Sequence, residues 1–317
     1  MNENQNSSQL TPGSKSEIGR DVTFSELFIA IWEGKRLLFS LAISFSLLFL
    51  IVTLFFPNKY ESKALLAPVQ SEDSSQSLQG YSGLASLAGI DLPGAETSKT
   101  TKALEKVVSL SFFADHIMPN IFMPDLMALD KWDPQKNEIS YKLSKYNIDE
   151  GVWKRKPKFP RVSEPSAQEG HKEFLKIIKI KENDETGFVN LSIKHQSPFI
   201  ARKWAEIVVL EINDWFRETE RKEAQIAIDY LNTQLAQTNF SEIKLALAEL
   251  VQKEMQKLTL IEANEYYVLK YIDPPVVAEE KSSPLRALIT ILGGIFGVLV
   301  GTFLVLRKYF TKIDKQH

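Results

Sequence analysis

The chain has 317 residues, no cysteine, 25% charged residues and a formal net charge of −2. Lack of cysteine excludes disulfides and thiolate metal sites, and the absence of a basic excess excludes an electrostatic footprint for nucleic acid. A mean hydropathy of −0.15 suits a soluble protein, but it averages two apolar ends with a polar middle.

Residues 1–20 are polar and rich in Ser and Asn, with too little apolar surface to fold. Thr23 and Glu26 have the spacing of a capping box. Leu27, Phe28, Ile31 and Trp32 follow at helical spacing, predicting a short amphipathic helix on a membrane surface with Trp32 at the interface. Leu37 to Phe56 is uncharged over about 20 residues, which at about 1.5 Å each matches a hydrocarbon core of about 30 Å. It lies too far from the start for a cleaved signal peptide, and Phe55-Phe56-Pro57-Asn58 offers no cleavage site. A first transmembrane helix is predicted here.

Asn58 to Pro68 reads as a strand ended by Pro68. Gln70 to Thr100 is a Ser/Gly/Ala-rich loop, either a linker or a segment that folds on a neighbouring subunit or the membrane face. Lys99 to Ile117 reads as one helix with a stripe of Leu104, Val107, Val108, Phe112 and Phe113. Met118 to Gly170 reads as irregular and Pro-rich; its basic run, Lys154 to Lys158, reads as a solvated surface loop, the alternative being a loop beside an aromatic that touches an anionic sugar or a lipid diphosphate. Phe174–Glu182 and Gly187–His195 predict a hairpin turned by Asn183 to Gly187.

Ser197-Pro198 supplies a cap and a proline at the first helical position. A long apolar period follows from Ala201 through Leu235. Asn239 with Glu242 offers a cap for a second helix, Ile243 to Ile261. The pattern fits a helical hairpin turning near Thr238 to Ser241, or one unbroken helix. The hairpin returns the chain toward its second apolar end. Tyr266 to Ile272 reads as a strand, pairing in one sheet with the first. Ala287 to Leu306 is the second transmembrane helix, with Gly293, Gly297 and Gly301 on one stripe where another helix can approach closely.

Two crossings put both termini on one side. Lys35, Arg36, Arg307, Lys308 and Lys312 assign that side to the cytoplasm, although Lys59, Lys63 and Arg286 oppose the bias. The predicted division is a tail with its amphipathic helix (1–36), transmembrane helix 1 (37–56), a periplasmic α/β base with a protruding helical arm at about 197–262 (57–286), transmembrane helix 2 (287–306) and a short tail (307–317). No phosphate loop, HExxH or GxSxG motif occurs in the sequence. His116, His171, His195 and His317 have no second ligand nearby, so no catalytic, cofactor or metal site is expected.

The two-helix frame, with Asp273, Pro274, Ser283, Pro284 and Arg286 ahead of the Gly-striped helix, resembles the Wzz-type polysaccharide chain-length determinants, also called polysaccharide co-polymerases. Phe24 to Leu38 and SGLASLAGI in the Ser-rich loop are similar too. Ala278 and Lys281 depart from the pattern at usual proline positions, and Leu285 replaces a basic residue. The resemblance implies a non-catalytic inner-membrane protein that forms rings of itself. It implies that these rings set the length of O-antigen or a related surface polysaccharide made by a membrane polymerase, in contact with the bilayer and with the growing polymer or its lipid carrier. It further implies a kinase-free member. The competing readings are a two-helix periplasmic sensor or adaptor, an accessory subunit of an export or separate tyrosine-kinase system, and an enzyme on lipid-linked sugars.

Overall fold

A computed structural model of the chain describes residue 29, residues 31–69 and residues 98–314. The predicted capping box at Thr23 and most of the Ser/Gly-rich loop lie outside them. Two compact units result. One is made of the chain's ends, Met1–Phe56 with Leu285–His317, and the other of Pro57–Pro284.

Helix α1 spans Lys35–Leu54, and strand β1 follows at Lys59–Pro68. Ser62, Ala64 and Leu66 are buried while Lys63 is exposed, the period-2 pattern of a strand with one face on a core. Helix α2 (Lys99–Val107) starts at Ser98, whose side chain accepts the Thr101 N–H. The single helix expected over Lys99–Ile117 is interrupted. The Ser109 hydroxyl accepts the Phe112 N–H and opens a new short helix, α3 (Leu110–Phe112), which passes into a π-helical turn at Phe113–Ile117. A serine that competes for backbone N–H groups breaks a helix at such a point. Past the break, Phe112 and Phe113 are fully buried.

The segment expected to be irregular contains α4 (Met123–Met127) and two small antiparallel hairpins. These are β2 (Leu129–Asp133) with β3 (Glu138–Tyr141), and β4 (Tyr146–Asn147) with β5 (Val152–Trp153). Helix α5 (Ala167–Phe174) opens on a capping box formed by Ser166 and Glu169. It claims Phe174, which the hairpin reading had placed in a strand. The hairpin itself is β6 (Ile178–Glu182) and β7 (Val189–His195). Its turn is fixed by Asn183, whose side-chain oxygen accepts the Glu185 and Thr186 N–H groups, and by Gly187 at φ +69.

Helix α6 runs Pro198–Gln237, 40 residues and about 60 Å. Helix α7 (Ser241–Ala263) returns along it, so the hairpin is realised rather than one unbroken helix. Phe240, not Asn239, occupies the cap position, without a side-chain cap bond. Strand β8 (Leu269–Asp273) begins three residues later than Tyr266, and a short β9 (Lys281–Ser283) precedes α8 (Arg286–Asp314). Helix α8 extends eight residues beyond Leu306.

The main sheet runs β6-β7-β1-β8, with β9 also on β1, and every pair is antiparallel. Strand β1 is the centre. β7 takes one edge from Tyr60↔His195 to Leu66↔Val189. β8 and β9 share the other edge, β8 opposite Leu65–Pro68 and β9 opposite Lys59 and Tyr60. Ala64, Leu66, Val189, Leu191 and Ile193 join one core with Trp204, Ala205, Val208, Val209 and Ile212 of α6 and with Phe112, Phe113 and Phe174. The amino-terminal half of α6 is therefore cemented into the sheet, and its remainder projects as the arm.

One buried polar residue ties arm to sheet. The Asn213 amide donates to the carbonyls of Val209 (2.8 Å) and Leu269 (3.0 Å). Its oxygen accepts the N–H groups of Tyr267 (2.9 Å), Val268 (2.8 Å) and Leu269 (3.2 Å). These donors are spent on a side chain, which is why β8 starts late. Arg217, one turn along, donates to the carbonyls of Asn264 (3.1 Å) and Glu265 (2.6 Å) and fixes where α7 hands over to the strand. Asn213→Leu strands buried N–H groups, each costing about 1–3 kcal/mol. The variant is expected to lose about 3 kcal/mol or more in denaturant unfolding of detergent-solubilised protein, whereas Thr233→Ala, at an exposed hydroxyl of the same helix, is expected to be near neutral.

Candidate functional site

The three glycines of α8 face α1. A Cβ placed on Gly293 would stand 2.7 Å from the Phe49 side chain, and one on Gly297 only 2.6 Å from the Leu41 carbonyl oxygen and 2.8 Å from the Ala42 Cα. On Gly301 it would meet Leu38 at 2.8 Å. Gly294, off this stripe, would meet nothing nearer than the Ser46 Cβ at 3.9 Å. The Ser46 hydroxyl donates to the Thr290 carbonyl (3.2 Å), and Phe296 sets its ring against Phe45 at 5.4 Å. Partners on α1 descend in number as positions on α8 rise, so the helices run antiparallel. Their outer faces are bare and apolar: Phe39, Ile43, Leu299 and Phe303 are all more than 60% exposed. Both helices, at 20 and 26 apolar-rich residues, are long enough to cross a bilayer.

The motif ahead of α8 is laid along β1 rather than gathered at a point. Asp273 ends β8 opposite Leu65, and Ser283 ends β9 opposite Lys59. Between them the Ser62 hydroxyl donates to the Val276 carbonyl (2.7 Å) and the Ser282 hydroxyl to the Lys59 carbonyl (3.2 Å). Pro274 offers no N–H and terminates the β8 ladder. Pro284 separates β9 from α8, whose first residue is Arg286. These residues lace the returning chain to the outgoing one.

The arm is thinly covered. Beyond Phe216, only Ala224 and Ile228 of α6 and Ile261 of α7 are buried. Ile226, Tyr230, Phe240, Ile243, Leu245, Leu250, Met255 and Leu260 remain exposed. Arg221 bridges the helices through Glu262 (2.7 Å). Glu220 accepts from Tyr267 (2.6 Å) and pairs with Lys99 (2.8 Å) and Lys257 (3.5 Å). Burial alone would raise its pKa, but the bonds from Lys99 and Tyr267 outweigh it and hold the carboxyl below its ordinary value. Sequence spacing had suggested only solvated carboxylates on these helices. What it lacked was the long-range partners.

The titratable groups are structural in their surroundings. His195 is buried beside Trp204. Its Nδ1 accepts the Ser197 N–H (3.0 Å) at the start of α6, leaving Nε2 to donate to the Asp125 carbonyl (3.2 Å). Burial pushes its pKa down to about 4. The Asp125 carboxylate accepts from the Tyr141 hydroxyl (2.6 Å), and burial raises both pKa values. His116 meets Glu211 at 3.2 Å and lines an open groove with Asp214, Trp215, Glu218 and Thr219. Among the described residues no group of three His, Asp or Glu converges as a metal site. Arg155, expected in a solvated basic loop, is instead mostly covered and paired with Glu169 at 2.6 Å.

An apolar helix at either end, the two paired antiparallel, with an α/β unit and a long helical arm between them, defines the class. Residues 20–109 match the family described as "Wzz: Chain length determinant protein". That segment includes Phe24 to Leu38 and the SGLASLAGI stretch, and the likeness to the family is one of that segment. The motif at Asp273 to Arg286 lies outside it. Among solved structures, the chain is similar to a full-length bacterial polysaccharide co-polymerase at 13% identity, covering 92% of this chain and 98% of that one, with a TM-score of 0.35. It is also similar to a fragment of WzzB, the polysaccharide co-polymerase from Salmonella Typhimurium, at 12% identity, covering 71% and 100%, with a TM-score of 0.26. Likenesses at these scores establish no common fold, and the match to the family model is confined to residues 20–109. No curated protein matches the chain in sequence.

Gly297→Leu is expected to separate α1 and α8, because its nearest obstacles are backbone atoms that cannot rotate away. Thermal unfolding in mild detergent should drop by several degrees, while Gly294→Ala should leave it unchanged. A second expectation concerns pH. His195 has a folded pKa below its unfolded one, so its neutral form contributes stability that is whole above about pH 6.5. This stability is lost as pH falls toward 4, by up to about 3 kcal/mol. Denaturant midpoints measured from pH 7 to pH 4 should fall, and a His195→Gln variant should flatten that part of the slope.

Proposed function

We propose that this protein regulates the chain length of a surface polysaccharide, O-antigen or a related polymer, as a non-catalytic oligomeric partner of a membrane polymerase. The family match over residues 20–109 carries this reading. The helices α1 and α8 cross the inner membrane, and Pro57–Pro284 stands in the periplasm. Their bare apolar outer faces support the crossing, since a helix of a soluble core would be covered. Lys35, Arg36, Arg307 and Lys308 at the cytoplasmic ends support the orientation.

The arm supports self-association. Two helices alone leave much of each other's surface uncovered, and Ile243, Leu245, Leu250, Met255 and Leu260 remain exposed around α7. Closed rings of identical subunits cover such exposed apolar side chains without making filaments. Gly293, Gly297 and Gly301 fix the helix pair within one subunit, and Asp273, Pro274, Ser283, Pro284 and Arg286 carry the pairing across to the periplasmic sheet.

The test is a gel of surface polysaccharide from cells with and without the gene. A shift from a modal cluster of lengths to a random ladder is expected. An unchanged ladder would contradict regulation, and complete loss of polymer would mark an enzyme. Restoring the wild-type gene should return the mode, and Gly297→Leu should not.

A further inference from the structure

We propose that the segment 142–162 is a lipid-docking loop that rests on anionic phospholipid headgroups of the bilayer crossed by α1 and α8. The proposal depends on the membrane reading above.

Chain connectivity bounds how far the strands that carry the insert can lie from the helix ends. Residues 55–58 alone separate α1 from β1, so Lys59 lies within about 18 Å of Leu54 along even a fully extended chain. Pro284 and Leu285 alone separate β9 from α8. Lys59 and Ser283 are opposite each other in the sheet, so a single corner of it carries both tethers. The insert is built on that corner. Trp132 sets its ring against Tyr60 at 5.4 Å. Gln196 donates to the Asp130 carbonyl (3.3 Å), and His195, paired with Tyr60, donates to the Asp125 carbonyl. Within the insert, ring contacts join Tyr141 to Tyr146 at 5.9 Å and Tyr146 to Trp153 at 5.0 Å.

What hangs there is basic and apolar at once. In a chain of net charge −2, residues 142–162 hold Lys142, Lys145, Lys154, Arg155, Lys156, Lys158 and Arg161 against only Asp149 and Glu150. Lys142, Lys156 and Lys158 are exposed and make no ion pair among the described residues. Among them stand Phe159, 96% exposed, with Leu143 at 70% and Val162 at 65%. The loop is braced rather than slack. Arg155 donates to the carbonyls of Val162 (3.1 Å), Ser163 (2.6 Å) and Glu164 (3.1 Å) while pairing with Glu169. A braced loop that holds Phe159 in water pays a hydration cost that an interface would relieve. Ammonium groups beside bare apolar side chains match phosphate headgroups over acyl chains. A sugar chain would call instead for amides and carboxylates around an aromatic face.

The chain has no cysteine, so a spin label on Phe159→Cys in the full-length protein is unique. In nanodiscs containing phosphatidylglycerol the label should be several-fold more accessible to oxygen, relative to an aqueous nickel complex, than a label on Phe240→Cys at the arm's turn. In phosphatidylcholine alone, or with Lys156→Glu and Lys158→Glu added, the difference should shrink. A label on Ile51→Cys reports the span independently. Immersion at 51 with water exposure at 159 in both lipids overturns the loop proposal alone. Water exposure at 51 overturns the membrane reading itself. Equal shielding of 159 in detergent, or shielding only when polysaccharide is added, also overturns the proposal, in favour of a second copy or of the polymer.

Discussion

The chain's two ends run antiparallel to each other twice, once as helices and once as strands, and the rest of the structure depends on that pairing. In the helices, contact is made by absence: Gly293, Gly297 and Gly301 leave room for backbone atoms of α1 that any side chain would displace. In the sheet, β1 leaves the first helix and immediately meets β9, the last strand before the second. Between these points the chain makes its excursion through the arm and returns to the other half of the same edge, opposite β8.

The arm follows from this closure. Its root is fixed by apolar packing from Ala201 to Phe216 and by the five hydrogen bonds of Asn213. Its outer part has little core of its own and leaves large apolar side chains exposed. Burial is thus concentrated in the first half of α6, while the second half is mostly exposed. The ion pairs of Glu220 and Arg221 hold the two helices in register without covering that surface.

Local chemistry made much of this legible from residues alone. The proline at Ser197-Pro198, the polar turn after Gln237, the Asn183 to Gly187 turn and Pro68 at the end of β1 are all short-range signals, and each element lies where they indicate, although the Ser197 side chain makes no cap bond. The features that were not legible depend on partners far away in sequence. Asn213 carries no local signal, because the strand groups it bonds lie more than 50 residues away at the start of β8. Ser109 broke a helix whose apolar stripe continued unchanged across it. Arg155 sat in a basic run but found Glu169 and three carbonyls. Strands β2 to β5 are too short, and too mixed in composition, to leave a period. The motif from Asp273 to Arg286 was visible as a pattern, yet its use as lacing along β1 required the sheet.

The pairing of the ends is tested most directly by a cross-link. The Cβ of residue 294 would lie 3.9 Å from that of Ser46, inside the usual range for a disulfide. Ser46→Cys with Gly294→Cys, in a chain otherwise free of cysteine, should oxidise to an intramolecular bridge in native membranes, while Ser46→Cys with Thr302→Cys should not. Bridging of the second pair in place of the first, or products only at the mass of a dimer, would contradict the antiparallel register.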